Sequence, residues 1–160
     1  MSFADMLAGN SILYDLNAAS RDDVLGEVLT KIQENGNLVE GTFDEILKKL
    51  VEREELGSTG VGNGIAVPHA KHKTVQKPVL CIARSQSGVN FGALDGEPVR
   101  LFFMLLSPDK NTTDHLKALT FISTALRDEF FCKFLKNATS KEEMIDTIQE
   151  MDEKLQSMKA

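Results

Sequence analysis

The segment Val99 to Leu106, V-R-L-F-F-M-L-L, carries one charge and shows no polar–apolar alternation. A strand with one face in water alternates, whereas a strand covered on both faces is apolar throughout. This run therefore asks for a sheet with helices on both sides, and helical patterns stand ready before and after it. Upstream, Ser20 is an N-cap with Asp22 and Asp23 in the first turn. Val24, Leu25, Val28, Leu29 and Ile32 mark one face of that helix, which Gly36 ends. Thr42 and Glu45 have capping-box spacing and open a second helix with the stripe Phe43, Ile46, Leu47, Leu50 and Val51. It stops at Gly57 with Arg53 in its last turn.

Downstream of the apolar run, Thr112 or Thr113 caps a helix with Asp114 in its first turn, and Leu116, Leu119, Ile122, Ser123 and Leu126 are expected to face inward. A short apolar helix is expected over Phe130–Leu135. Ser140 and Glu143 form another capping box, opening a last helix lined by Met144, Ile145, Ile148, Met151 and Leu155. Ser11–Leu16, Ile65–Val67 and Pro78–Arg84 read as further strands. The expected fold is a three-layer α/β sandwich, with the helix pair before the apolar run and the helices after it on opposite faces. The composition is even along the chain, so one domain over residues 1–160 is expected.

Charge and composition narrow the function. A formal net charge of −6 without a lysine or arginine cluster is unsuited to nucleic acid and to anionic membranes. No apolar run approaches the roughly 20 residues of a membrane helix, and the N-terminus lacks the basic and apolar regions of a signal peptide. Cys81 and Cys132 lie in apolar contexts, as reduced buried thiols do, and a cytoplasmic location is expected.

The chemistry centres on Ser58–Lys71, S-T-G-V-G-N-G-I-A-V-P-H-A-K. Ile65–Val67 is a short buried strand that Pro68 should end, because proline cannot donate to a ladder. His69 is then expected just past a strand end, beside the loop of Gly60, Gly62, Asn63 and Gly64, and followed by a polar connection from Lys71 to Lys77. A neutral imidazole can attack phosphorus and carry the group as phosphohistidine. Loop amides at Gly60–Gly64 can donate to phosphoryl oxygens. His115, at a helix N-terminus, can supply another donor, and Arg53 a fixed charge. Each feature has a plainer explanation alone: a tight turn for the glycines, a capping or surface role for His115, a solvated ion pair for Arg53. No Lys-Ser/Thr pair follows the glycines, which excludes a P-loop, and they precede a strand, which excludes a dinucleotide fingerprint. His72, between Lys71 and Lys73, reads as exposed and idle. A His69, His72 and His115 metal site is disfavoured by those lysines, so no metal is expected.

The ten residues Gly60-Val61-Gly62-Asn63-Gly64-Ile65-Ala66-Val67-Pro68-His69 closely resemble the active-site signature of enzyme IIA domains of the bacterial phosphoenolpyruvate-dependent sugar phosphotransferase system. The resemblance is to the mannitol/fructose type, which includes the nitrogen-regulatory enzyme IIA. R-E-E-L-G at Arg53–Gly57, L-D-G-E-P-V at Leu94–Val99 and T-D-H-L at Thr113–Leu116 follow the same pattern, and the likeness runs from about Ile12 to Met151. It implies a mixed, mostly parallel sheet flanked by helices on both faces, and neither metal nor organic cofactor. His69 would accept a phosphoryl group from the carrier HPr or an HPr-like paralogue, with His115 and Arg53 shaping the phosphate site. The group would then pass to an enzyme IIB domain, or the phosphorylation state would control a partner protein. The carrier presents a positive residue beside its own phosphohistidine, so acids near the loop, Glu54 and Glu55, are expected to face it.

Overall fold

The structure, a computed structural model, describes residues 1–7, 10–110 and 112–158. Phe3–Met6 (α1) and Ile12–Leu13 (β1) precede two helices, Arg21–Glu34 (α2) and Phe43–Glu55 (α3). The glycine-rich stretch gives three short strands, Gly60–Gly62 (β2), Ile65–Ala66 (β3) and His69–His72 (β4). Two long strands follow, Val79–Val89 (β5) and Val99–Pro108 (β6). Thr112–Leu126 (α4), Glu129–Lys136 (α5) and Lys141–Met158 (α6) come last.

The apolar run is β6, and it is the hub of the sheet. One edge pairs antiparallel with β5, from Val79↔Leu106 to Val89↔Val99. The other edge pairs in parallel with β3 at Ile65↔Leu101 and then with β4 at His69↔Leu105. Strand β1 joins β5 in parallel and β2 pairs antiparallel with β3, so the sheet is mixed and mostly parallel. Side chains of β6 alternate between two cores. Leu101, Phe103 and Leu105 pack with α1, α4, α5 and α6. Phe102, Met104 and Leu106 pack with α2 and α3. Burying each such side chain contributes about 1.5–3 kcal/mol, so β6 holds both helical layers to one sheet, as its lack of alternation required.

Several local expectations are corrected. The buried face of α4 is His115, Ala118, Phe121, Ile122 and Ala125, while Leu116 is 61% exposed and Ser123 lies outside. The small side chains of Ala118 and Ala125 let this helix backbone lie close to the sheet, which turns the larger aliphatic residue outward. Thr112 and Thr113 lie inside α4 rather than capping it, and residue 111 is outside the described residues. Thr42 forms no capping box: its hydroxyl donates to the Val39 carbonyl, and Glu45 reaches elsewhere. At α6, Ser140 Oγ accepts from Glu143 N, but the Glu143 carboxylate takes its bonds from Thr139 N and Oγ1. The unforeseen α1 plugs one core, with Phe3 against Phe121 and Phe131. Both cysteines are buried and unbridged.

Asn63 and Gly64 both have positive φ, 57° and 75°, and form the turn of the β2–β3 hairpin, as the right-handed strand twist favours. Gly60 is required for another reason: a β-carbon there would stand 2.7 Å from Ala93 Cβ. Gly60→Ala should therefore push the hairpin off the Ala93 loop and cost roughly 1–3 kcal/mol, as overpacking does. A lower urea midpoint at unchanged slope checks this; a wild-type midpoint would show that the loop yields freely.

Candidate functional site

Pro68 interrupts the edge of the sheet without leaving it. It has no N–H to give, but its carbonyl accepts from Leu105 N at 2.9 Å. Pairing resumes at once, so His69 opens β4 rather than following a strand end, and the loop expected from Lys71 begins only after His72. At the break, Val67 N donates to the Thr59 carbonyl. The Val67 carbonyl is left to accept from His69 Nδ1 at 2.8 Å. A carbonyl cannot donate, so the proton of the neutral ring sits on Nδ1 and the lone pair on Nε2.

Among the described residues strand β4 pairs with β6 alone, and side chains from α3 and α4 reach the cleft at His69. His115, in the first turn of α4, is buried with Nδ1 2.7 Å from Ser107 Oγ on β6. The His69 and His115 rings are 5.5 Å apart between centroids and tilted by 49°. Arg53, in the last turn of α3, donates Nη1 to the Gly57 carbonyl at 2.8 Å. His69, His115 and Arg53 thus line one open cleft of about 560 Å³, with Lys71, Glu52 and the 86% exposed Leu56 at its rim. Three residues far apart in sequence converge there.

Electrostatics keep both rings neutral. Burial lowers the His69 pKa, and the Arg53 and Lys71 charges add to that against the pull of the Val67 hydrogen bond. Burial is also the main reason the His115 pKa is pushed down to about 4, with His69 and Lys71 contributing repulsion. At neutral pH the cleft therefore holds two uncharged imidazoles beside one guanidinium.

The glycines are placed differently. None of Gly60, Gly62, Asn63 and Gly64 lines this cleft. The Gly64 carbonyl accepts from Leu101 N, whereas His69 is in register with Leu105. Four residues along a strand separate the hairpin tip from the histidine by about 13 Å. Lys136 Nζ on α5 holds the tip by the Asn63 carbonyl. Glu54 is likewise no surface acid: it is 4% exposed, and its carboxylate accepts from Thr59 N at 2.9 Å and Thr59 Oγ1 at 2.7 Å. That pair fastens the end of α3 to the start of the glycine stretch.

His72 is corrected as well. It is 2% exposed and faces α3, away from His69, so the three histidines do not form one set. No cluster of three or more His, Cys, Asp or Glu side chains suited to a metal occurs among the described residues. No helix among them is long and apolar enough to cross a membrane. Sequence reasoning missed Ser107 and the Val67 carbonyl, the groups that orient the two rings. A serine closing an apolar strand and a backbone oxygen carry no pattern of their own.

Fold and sequence together place the chain among phosphotransfer proteins. The family model described as "Phosphoenolpyruvate-dependent sugar phosphotransferase system, EIIA 2" matches residues 5–151, and the chain belongs to that family. It is 33% identical over 152 residues to the fructose-specific EIIABC component of Bacillus subtilis, covering 95% of this chain but only 24% of that protein. It is 38% identical over 136 residues to the nitrogen regulatory protein of Bradyrhizobium diazoefficiens, covering 85% and 87% of the two chains. Among solved structures, the nitrogen regulatory protein IIA-Ntr of Neisseria meningitidis superposes with a TM-score of 0.76 at 30% identity, over 86% of this chain and 92% of that one. Enzyme IIA-Mtl of Escherichia coli, in complex with phosphorylated IIB-Mtl, shares the fold with a TM-score of 0.73 at 23% identity, over 88% and 94%.

The depressed histidine pKa values have a testable sign. The unfolded chain takes up protons near pH 6.5, where the folded cleft still refuses them. Stability should therefore fall as pH drops below about 6.5 and level off once the folded rings titrate. NMR titration should place the His115 midpoint near 4 and that of His69 below the ordinary histidine range. Midpoints at or above 6.5 would contradict the neutral cleft.

Proposed function

We propose that His69 accepts a phosphoryl group at Nε2 from HPr or an HPr-like phosphocarrier and passes it to an enzyme IIB domain of a fructose/mannitol-type system. The observation that carries this is the His69 Nδ1 bond to the Val67 carbonyl, 2.8 Å long, which commits the lone pair to Nε2. In the transfer, the Nε2 pair forms a bond to phosphorus while the bond from phosphorus to the donor nitrogen breaks, its electrons staying on the donor. The proton stays on Nδ1, donated to the Val67 carbonyl. Negative charge spreads over three phosphoryl oxygens in a loose transition state, and fixed donors lower the barrier most there. Arg53 supplies charge, anchored by Gly57. His115 Nδ1 is paired with the Ser107 hydroxyl, which can donate as well as accept; in the tautomer where Ser107 donates, His115 carries its proton on Nε2 for a phosphoryl oxygen. The glycine hairpin serves by holding the edge strand rather than by touching phosphate.

A second reading keeps the same chemistry and changes its use. The likeness to nitrogen regulatory proteins favours a regulator whose His69 phosphorylation state controls binding to a partner protein. The IIA-Mtl complex with phosphorylated IIB-Mtl supports the carrier reading. Either role belongs in the cytoplasm and involves neither nucleic acid nor membrane insertion. An acceptor assay separates them: transfer onward to a IIB domain marks the carrier, and phosphorylation-dependent capture of a partner without onward transfer marks the regulator.

His69→Ala should abolish acid-labile phosphorylation while leaving the fold intact. His115→Ala should slow transfer roughly a hundredfold, the usual cost of one transition-state donor. Label on the His69→Ala protein overturns the assignment of the nucleophile, and wild-type rates for His115→Ala remove that residue from the site.

The interface must be small and transient, because phosphoryl carriers meet and part many times. Glu52 and Glu55 are exposed acids at the end of α3 that can face a basic carrier. Glu52→Lys with Glu55→Lys should slow association, and added salt should slow the wild type by screening. Stopped-flow transfer across a salt series, insensitive to both changes, would refute this electrostatic part alone.

A further inference from the structure

One face of α3 carries Glu45, Lys49 and Arg53, spaced i, i+4, i+8. Opposite it, β4 presents His72, the Lys71 carbonyl and His69 in the reverse chain order. The first pair is Glu45 Oε1 with His72 Nε2 at 3.0 Å. The second is Lys49 Nζ donating to the Lys71 carbonyl at 3.1 Å. The third is Arg53 with His69 across the cleft. The lengths agree: eight helical residues rise about 12 Å, and three strand residues span about 10 Å. The helix thus runs antiparallel along the edge strand, with its last turn, carrying Arg53, beside His69.

His72 is built for this contact. Its Nδ1 accepts from Thr74 N at 3.2 Å and lies 2.7 Å from Thr74 Oγ1, which places the ring proton on Nε2. That nitrogen is sealed from water, and its N–H points off the line of a good hydrogen bond, so Glu45 at ion-pair distance is the group that compensates it. The imidazole in turn holds the Glu45 carboxyl below its ordinary range, helped by Lys73 and Lys49. Arg53 needs such help. It sits in the final turn of α3, anchored on the Gly57 carbonyl in the loop beyond. A displacement of 1 Å there is enough to weaken a charge aimed at a phosphoryl group.

We propose that Glu45 and His72 are positioning residues for phosphoryl transfer, fixing α3 on the edge strand so that the Arg53 guanidinium faces a phosphoryl group on His69. The proposal rests on His69 being the phosphoryl acceptor. It assigns a role to a histidine that the chemistry at His69 does not use, and to a glutamate outside the cleft.

The test uses potassium phosphoramidate as a small phosphoryl donor, so that no carrier protein need be identified. Phosphorylation is followed by ³¹P NMR on the whole chain, with thermal unfolding recorded for every variant. Glu45→Ala and His72→Gln should each slow phosphorylation about tenfold while the protein stays folded. Glu45→Gln, which keeps an acceptor for Nε2–H, should restore most of the rate. In an Arg53→Met background, Glu45→Ala should cause no further loss, because it acts through that arginine. The His69 NMR midpoint should rise in Glu45→Ala as the guanidinium moves away. A wild-type rate for Glu45→Ala, or losses from Glu45→Ala and Arg53→Met that multiply, would overturn the proposal. Failure of the underlying reading shows separately, as phosphorylation that survives His69→Ala.

Discussion

The double-sided burial of β6 is the constraint on which the rest of this protein depends. Leu101, Phe103 and Leu105 enter one core and Phe102, Met104 and Leu106 the other. Each face needs its own helical layer, since either left bare would expose several large side chains to water. With both layers in place, β6 becomes a rigid ruler. It sets β5 along one edge and, along the other, first β3 and then β4. The geometry around His69 inherits its precision from that ruler, because His69 sits in register with Leu105, which is held in the core.

The site exploits a place where the ruler's edge is broken. A continuous strand would commit successive backbone groups to the ladder, whereas Pro68 has no N–H to give and the preceding Val67 carbonyl is taken by a side chain. The Val67 carbonyl takes His69 Nδ1, and the backbone itself thereby selects the tautomer with its lone pair on Nε2. Because β4 has no neighbour beyond it, the helix ends of both layers can close on the same ring: α3 with Arg53 and α4 with His115. A histidine on a central strand would be sealed from any partner protein, and one on a free loop would lack this orientation.

The cleft combines neutrality with fixed positive charge. Desolvation holds the imidazoles uncharged, which suits a nucleophile and a hydrogen-bond donor. The guanidinium remains charged at any physiological pH. On the proposed reading, a phosphoryl group entering this cleft would meet side chains already oriented, the arrangement under which electrostatic stabilisation is most effective.

The sequence by itself determined a great deal. The unbroken apolar run specified a covered strand, the helical stripes of α2, α3 and α6 specified what covers it, and the segment ending in His69 pointed to the family, with Arg53 and His115 as further site candidates. These are local or periodic signals, and chain chemistry fixes them before any long-range contact forms. Only the tertiary structure decided the rest. Strands of two to four residues encode no register of their own, so the glycine hairpin's tip settled near Leu101 and Lys136, far from the histidine it precedes. The buried face of α4 runs through His115, Ala118, Phe121, Ile122 and Ala125, a rotation that leaves Leu116 outside. Glu54 and His72, read as solvated residues of polar segments, are buried against Thr59 and Glu45, and Glu45 reaches His72 only once α3 lies against the edge strand. Polar side chains take their roles from such long-range neighbours, and a linear pattern does not record who those neighbours are.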